Sequence, residues 1–207
     1  MDGMTLPKPN DSDFVPPPPG THLAICYRVI DLGTQMVEWQ GQAKKQHKIM
    51  LSWEMPNELM ADGQPFSISQ RYTWSSSEKA RLRQDLESWR GKKFTDADFG
   101  PGGFDIKNII GKGCLLNIVH NTKGDKTYAN IAAIVQLPKG TSIPPKKNSD
   151  VFFSLSAFDP ETFSGLSEGL RNIIAKSPEY GEVMRKKEGI GDAGPEKSKD
   201  FDDDIPF

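Results

Sequence analysis

The feature that most constrains this chain is the spacing of its apolar residues, which changes period twice. Leu23, Ile25, Tyr27 and Val29 alternate with His22, Ala24, Cys26 and Arg28. Ile49, Leu51 and Trp53 alternate with Lys48, Met50 and Ser52, and Phe66, Ile68, Gln70, Tyr72 and Trp74 alternate with Ser67, Ser69, Arg71 and Thr73. A period of two belongs to a strand with one face on a core. The first strand is expected over Thr21–Ile30, continuing past Gly33 to Trp39. The second is expected over Lys48–Glu54, after a polar turn at Gly41–Lys45, and the third over Phe66–Trp74. Leu82, Leu86 and Trp89 then recur at helical spacing, with Ser75 and Glu78 placed as a capping box and Gly91 as the stop. After a loop at Gly100–Gly103 and a helical turn at Asp105–Ile110, two apolar strands follow, Cys114–His120 and Thr127–Val135, joined by Asn121–Lys126. A β-sandwich needs about seven strands. Five short strands with a helix between the third and fourth is the order of an OB-fold, a small Greek-key barrel. The expected fold is therefore mainly β, a five-stranded OB-fold barrel over residues 15–137.

The flanks read differently. Residues 1–14 are polar and aperiodic, a disordered leader, and Pro16–Pro19 is a polyproline entry to the first strand. Residues 138–187 read as a linker followed by a helical extension, in which Asp159-Pro160 is a helix start and Leu166, Leu170, Ile173 and Ile174 form an apolar stripe ending before Pro178. Residues 188–207 read as a disordered acidic tail. Of the 26 Lys and Arg and 28 Asp and Glu, two bases and seven acids lie in that tail, leaving 24 bases and 21 acids before it. A mildly basic body with a strongly acidic terminus points to nucleic-acid contact by one part and partner binding by the other. No apolar run is long enough to span a bilayer and the start has no signal-peptide pattern, so a cytoplasmic protein without membrane contact is expected.

No catalytic constellation emerges. His22, His47 and His120 fall on three different strands, and there is no nucleophile elbow, zincin or Walker motif. Cys26 and Cys114 are far apart without metal-site spacing and read as small core residues. We expect neither enzyme activity, nor a cofactor, nor a metal. Aromatic and basic residues interleave instead: Trp39, Tyr72, Trp74 and Tyr128 with Arg28, Lys44, Lys45, Lys48, Arg71, Lys123 and Lys126. Rings stack on bases and cations track phosphates, a combination suited to single-stranded nucleic acid. A barrel also needs large aromatics for its interior. Trp53 is in phase with Ile49 and Leu51, and Tyr72 and Trp74 are in phase with Phe66 and Ile68, so core roles compete with stacking roles at these positions. Arg71, in the opposite phase, is expected outside. Trp39, beside Lys44 and Lys45, has the best claim to be an exposed platform.

The terminus Asp200-Phe201-Asp202-Asp203-Asp204-Ile205-Pro206-Phe207 is the most specific signal, because an acidic tail ordinarily avoids apolar residues. Asp202, Asp203, Asp204, Ile205, Pro206 and Phe207 resemble the terminal tip of bacterial single-stranded DNA-binding proteins almost residue for residue. Segments such as Ile109-Ile110-Gly111-Lys112 and Lys126-Thr127-Tyr128-Ala129-Asn130-Ile131 are similar to replication- and recombination-cluster proteins of phages and prophages. The resemblance implies a phage-type OB-fold protein that binds and protects single-stranded DNA without sequence specificity in the host cytoplasm, and homo-oligomerisation is left open. The tip would recruit host or phage replication and recombination proteins. A protein–protein adaptor of a replisome or recombination complex with little DNA affinity is the alternative, and a metal-dependent OB nuclease a third.

Overall fold

The structure, a computed structural model, describes residues 15–39, 41–101 and 103–188. It is mainly β, an antiparallel sheet with a helix after the third strand and further helices near the C-terminus. The strands are β1 (Gly20–Trp39), β2 (Gln42–Leu59), β3 (Pro65–Thr73), β4 (Gly113–Lys123), β5 (Lys126–Val135) and β6 (Val151–Phe153). The helices are α1 (Arg81–Arg90), α2 (Pro160–Gly165), α3 (Glu168–Ile174) and α4 (Pro178–Lys187). Sheet order is β3-β2-β1-β4-β5, with β6 paired to β1. The expected barrel closure is therefore not present as a hydrogen-bonded ladder, because β3 and β5 are the two ends of an open path. The described residues divide into two compact units, 15–30 with 49–152 and 31–48 with 153–188.

In the first unit, Ala24, Cys26 and Val29 of β1 face a core shared with Ile49, Leu51, Trp53 and Met55 of β2, Ile68 and Tyr72 of β3, and Leu82, Leu86 and Trp89 of α1. Cys114, Leu116 and Ile118 of β4 and Ile131 and Ile134 of β5 complete it. Ile131 and Ile134 both reach inward because Ala132 is an extra residue in the pairing: Ile118 faces Ile131 while Asn117 faces Ala133. Strict alternation picks the wrong core face for β1 and, for β2, the right face but not the burial of the other. The small residues of β1 take the core side while Ile25 and Tyr27 are buried too, and in β2 every residue from Ile49 to Met55 is buried. For β2 the reason lies in the stretch read as a linker. Glu54, wholly buried, accepts hydrogen bonds from the backbone N–H groups of Lys147 and Asn148 and from Asn148 Nδ2, all at 2.6–2.7 Å, so residues 147–148 lie over the outer side of β2.

Side chains of helix α1 hydrogen-bond to both end strands of the open path. Tyr72 Oη of β3 donates to Asp85 Oδ2 (2.9 Å), and Arg81 Nε donates to Asp85 Oδ1 (2.7 Å). Arg81 Nη2 reaches Ala132 O of β5 (3.0 Å), two residues from Ile134 O, which accepts from Ser88 Oγ (2.6 Å). Side chains of one helix thus occupy carbonyls of the β5 edge and tie that edge to β3, which also covers an otherwise exposed template for pairing. The helix begins at Arg81, later than the Ser75 signal, and its N-cap Ala80 supplies no capping side chain. Gly91 ends it as expected, at φ 69° with its N–H on Glu87 O and Ser88 O.

In the second unit, Asp159 starts α2 by accepting from the backbone of Glu161 and Thr162, with Pro160 in the first turn. Leu166, Leu170 and Ile174 are buried, and α4 adds a helix beyond the expected stripe. Gly33 sits at φ 68°, and a Cβ there would lie 2.5 Å from the Ser177 side chain, so this position needs glycine twice over. Among the described residues no helix is long and apolar enough to cross a membrane.

Candidate nucleic-acid interface

The outer side of β1, β2 and β3 carries a polar row. Arg28 Nε donates to Ser52 Oγ (3.1 Å), and Ser52 Oγ meets Ser69 Oγ at 2.8 Å. Arg28 is half-buried, with its guanidinium 5.4 Å from the Tyr27 ring, so it is anchored as well as cationic. Arg71 is exposed on β3, as its phase requires. Tyr72 must be corrected: it is 2% exposed, and its hydroxyl is committed to Asp85. Burial, reinforced by the Asp85 charge, pushes that phenol far above the ordinary tyrosine range. It offers no face for a base. Trp74 shares its phase but lies just beyond the end of β3, where the core no longer covers it, and is 46% exposed.

Strands β4 and β5 form a long hairpin turned by Gly124, at φ 60°. Gly20, the first residue of β1, pairs with Ile118, so β4 from Val119 onward reaches past the start of β1. On that arm Lys123 faces Lys126 and Asn121 faces Tyr128, with Tyr128 48% exposed and both lysines exposed. A ring and two cations thus share one projecting hairpin. The expected loop Asn121–Lys126 shrinks to Gly124 and Asp125 because the ladder continues to the Lys123–Lys126 pair.

The remaining candidates belong to the second unit or lie outside the described residues. Lys44 and Lys45 are exposed, but on strand β2 and not in a turn. Lys48 is half-buried and donates to Gln46 Oε1 (2.6 Å), and burial draws its ammonium below the usual lysine range. Trp39 closes β1, and its side chain lies outside the described residues, as do Asp202, Asp203, Asp204, Ile205, Pro206 and Phe207. The histidines have structural partners. His22 bonds Glu58 and Pro18 O, His120 bonds Pro17 O, and His47 bonds Asp31 at 2.7 Å. Two of them thus fasten the polyproline entry. Among the described residues no His, Cys, Asp and Glu cluster could hold a metal ion.

No family model and no curated protein matches the chain.

Two pockets flank α1. One, about 420 Å³, is walled by Trp74, Leu82, Phe94, Phe99 and Phe104, and the other, about 400 Å³, by Trp89, Arg90, Ile109, Lys112 and Leu137. Sequence reasoning passed over the three phenylalanines. They recur every five residues on both sides of the Gly100–Gly103 loop, and that repeat was the available signal. Asp98 fixes this stretch by accepting from Thr95 N and Oγ1 and from Arg90 Nη2. The Thr95 N–H and the Arg90 guanidinium hold its carboxyl well below the usual range.

Proposed function

We propose that the chain binds single-stranded DNA without sequence preference, on an OB-type sheet whose seam is bridged by α1, and acts without catalysis. The observation that carries this reading is the β4–β5 arm, where an exposed Tyr128 stands with Lys123 and Lys126. Stacking on a tyrosine face tolerates any base, and two lysines on the same arm follow the phosphates. Exposed Arg71 and the anchored Arg28 extend positive charge over the outer side of β1–β3. The sheet order supports the OB reading, being the OB path with only the β3–β5 ladder missing. The acidic Asp202–Phe207 tip would recruit replication and recombination proteins, as its resemblance implies.

The test is a charge reversal confined to the arm. Lys123→Glu/Lys126→Glu is expected to weaken binding of a labelled oligonucleotide at least tenfold at low salt while leaving the melting temperature unchanged. Unchanged affinity removes the arm from the interface. The burial of Tyr72 favours a second reading, a protein–protein adaptor, since it subtracts one platform. That reading predicts no measurable oligonucleotide binding by the unaltered chain.

A further inference from the structure

We propose that His22 is a proton-operated clasp on the polyproline entry: charged, it holds Glu58 and the Pro18 carbonyl together, and neutral, it keeps Glu58 and lets Pro18 go. Prolines carry no backbone N–H, so the backbone of Pro16–Pro19 can be fastened only through its carbonyl oxygens, by donors from elsewhere. Two histidines supply them. His120 Nε2 of β4 lies 2.7 Å from Pro17 O, and His22 Nε2 of β1 lies 3.0 Å from Pro18 O. Pro17 is buried and Pro18 half-buried, so the segment is packed rather than trailing in water. Gly20 of β1 pairs with Ile118, which puts this fastening at the root of the β4–β5 arm.

The two histidines differ in what they require. The His120 contact needs a single N–H, which a neutral ring supplies. His22 faces acceptors on both sides: Nδ1 stands 3.0 Å from Glu58 Oε1 while Nε2 stands 3.0 Å from Pro18 O. A carboxylate and a carbonyl only accept, and a neutral imidazole has one N–H and one lone pair, so both bonds exist together only in the imidazolium. The His22 side chain is 10% exposed, which leaves little water to satisfy a nitrogen that faces the wrong partner. When the ring loses a proton, one contact must become lone pair against lone pair. The carboxylate carries a full negative charge and the carbonyl only a partial one, so the remaining proton stays on Nδ1 and the bond given up is the one to Pro18 O. The clasp is closed at low pH and opens as pH rises through the titration of His22. Among the described residues, the titratable side chains in hydrogen-bond contact with the clasp or its segment are Glu58 from β2 and His120 from β4. The clasp works whether or not the chain binds DNA.

The experiment follows the carbonyl ¹³C resonances of Pro17 and Pro18 and the ring nitrogens of His22 in the full ¹³C,¹⁵N-labelled chain from pH ~5 to ~8, the interval in which a histidine changes charge. Pro18 is expected to shift in step with the His22 ring, with Nδ1 keeping its proton at the upper end. Pro17, whose bond survives in either charge state of His120, is expected to shift less. Glu58→Gln supplies a side-chain amide that can donate to Nδ1 as well as accept from it, so Nε2 can keep its proton at every pH. In that variant His22 is expected to titrate still, while the Pro18 shift falls to the level of Pro17. A Pro18 resonance that stays flat across the His22 titration overturns the proposal, as does a ring that holds both protons, or only one, over the whole interval. So does a Pro18 shift of full size in Glu58→Gln, which would make it a response to the ring's charge alone.

Discussion

Replacing Tyr72 by Phe tests whether α1 holds the open seam. The substitution keeps the buried ring and deletes one hydroxyl, which donates to Asp85 Oδ2 at 2.9 Å in a site where both side chains are buried. A hydrogen bond to a charged group contributes about 1.5–3 kcal/mol. Asp85 keeps its 2.7 Å bond from Arg81 Nε, so the carboxylate is not abandoned. The loss should stay within that range and lower the melting temperature by about 3–12 °C for a chain of this size. Asp85→Ala leaves the buried Tyr72 hydroxyl without an acceptor, while Arg81, more than half exposed, regains water, so it should cost about 1–3 kcal/mol. Urea denaturation of the two single variants and the double variant closes a cycle, whose coupling should equal most of the Tyr72→Phe loss. A Tyr72→Phe chain within about 0.5 kcal/mol of the unaltered one, the ordinary range for a neutral surface change, refutes the bridging role.

Alkaline pH should destabilise the fold through its two buried thiols. Burial pushes Cys26 up to about 12 and Cys114 well above its ordinary value, so above pH ~9 the unfolded chain releases protons that the folded chain retains. Stability present below that pH should fall by up to about 1.4 kcal/mol per pH unit per thiol as pH rises toward the folded value, and Cys26→Ala should flatten the fall measured by denaturant titration. Trp53→Ala, in the centre of the core, should cost about 3–5 kcal/mol. Glu54→Ala should cost about 1–3 kcal/mol by leaving buried backbone donors unmatched, and limited proteolysis should then cut within residues 138–150 sooner. Tyr128→Ala should weaken oligonucleotide binding by about 1–3 kcal/mol with no change in melting temperature.

Element types were legible because period and punctuation are local. Trp53 in phase with Ile49 and Leu51 is buried, Arg71 in the opposite phase is exposed, and Gly91 and Asp159-Pro160 punctuate helices as read. Burial on the second face of β2 was not legible, because it depends on distant residues such as Lys147 and Asn148 meeting Glu54. The same non-local cause hid the seam: nothing near Tyr72 announces Asp85 as its partner. Tyr72 and Trp74 share a phase and differ in fate because β3 ends between them, at Thr73, and strand ends are the least determined part of a pattern.

The central claim, that this sheet is a surface for single strands, is tested most directly by fluorescence anisotropy of the full chain with matched single-stranded and duplex oligonucleotides across a salt series. The account predicts preference for the single strand, little dependence on base composition, and a log–log salt slope of roughly −3 to −4, for about four to six phosphate contacts. A flat salt response or a preference for duplex contradicts it.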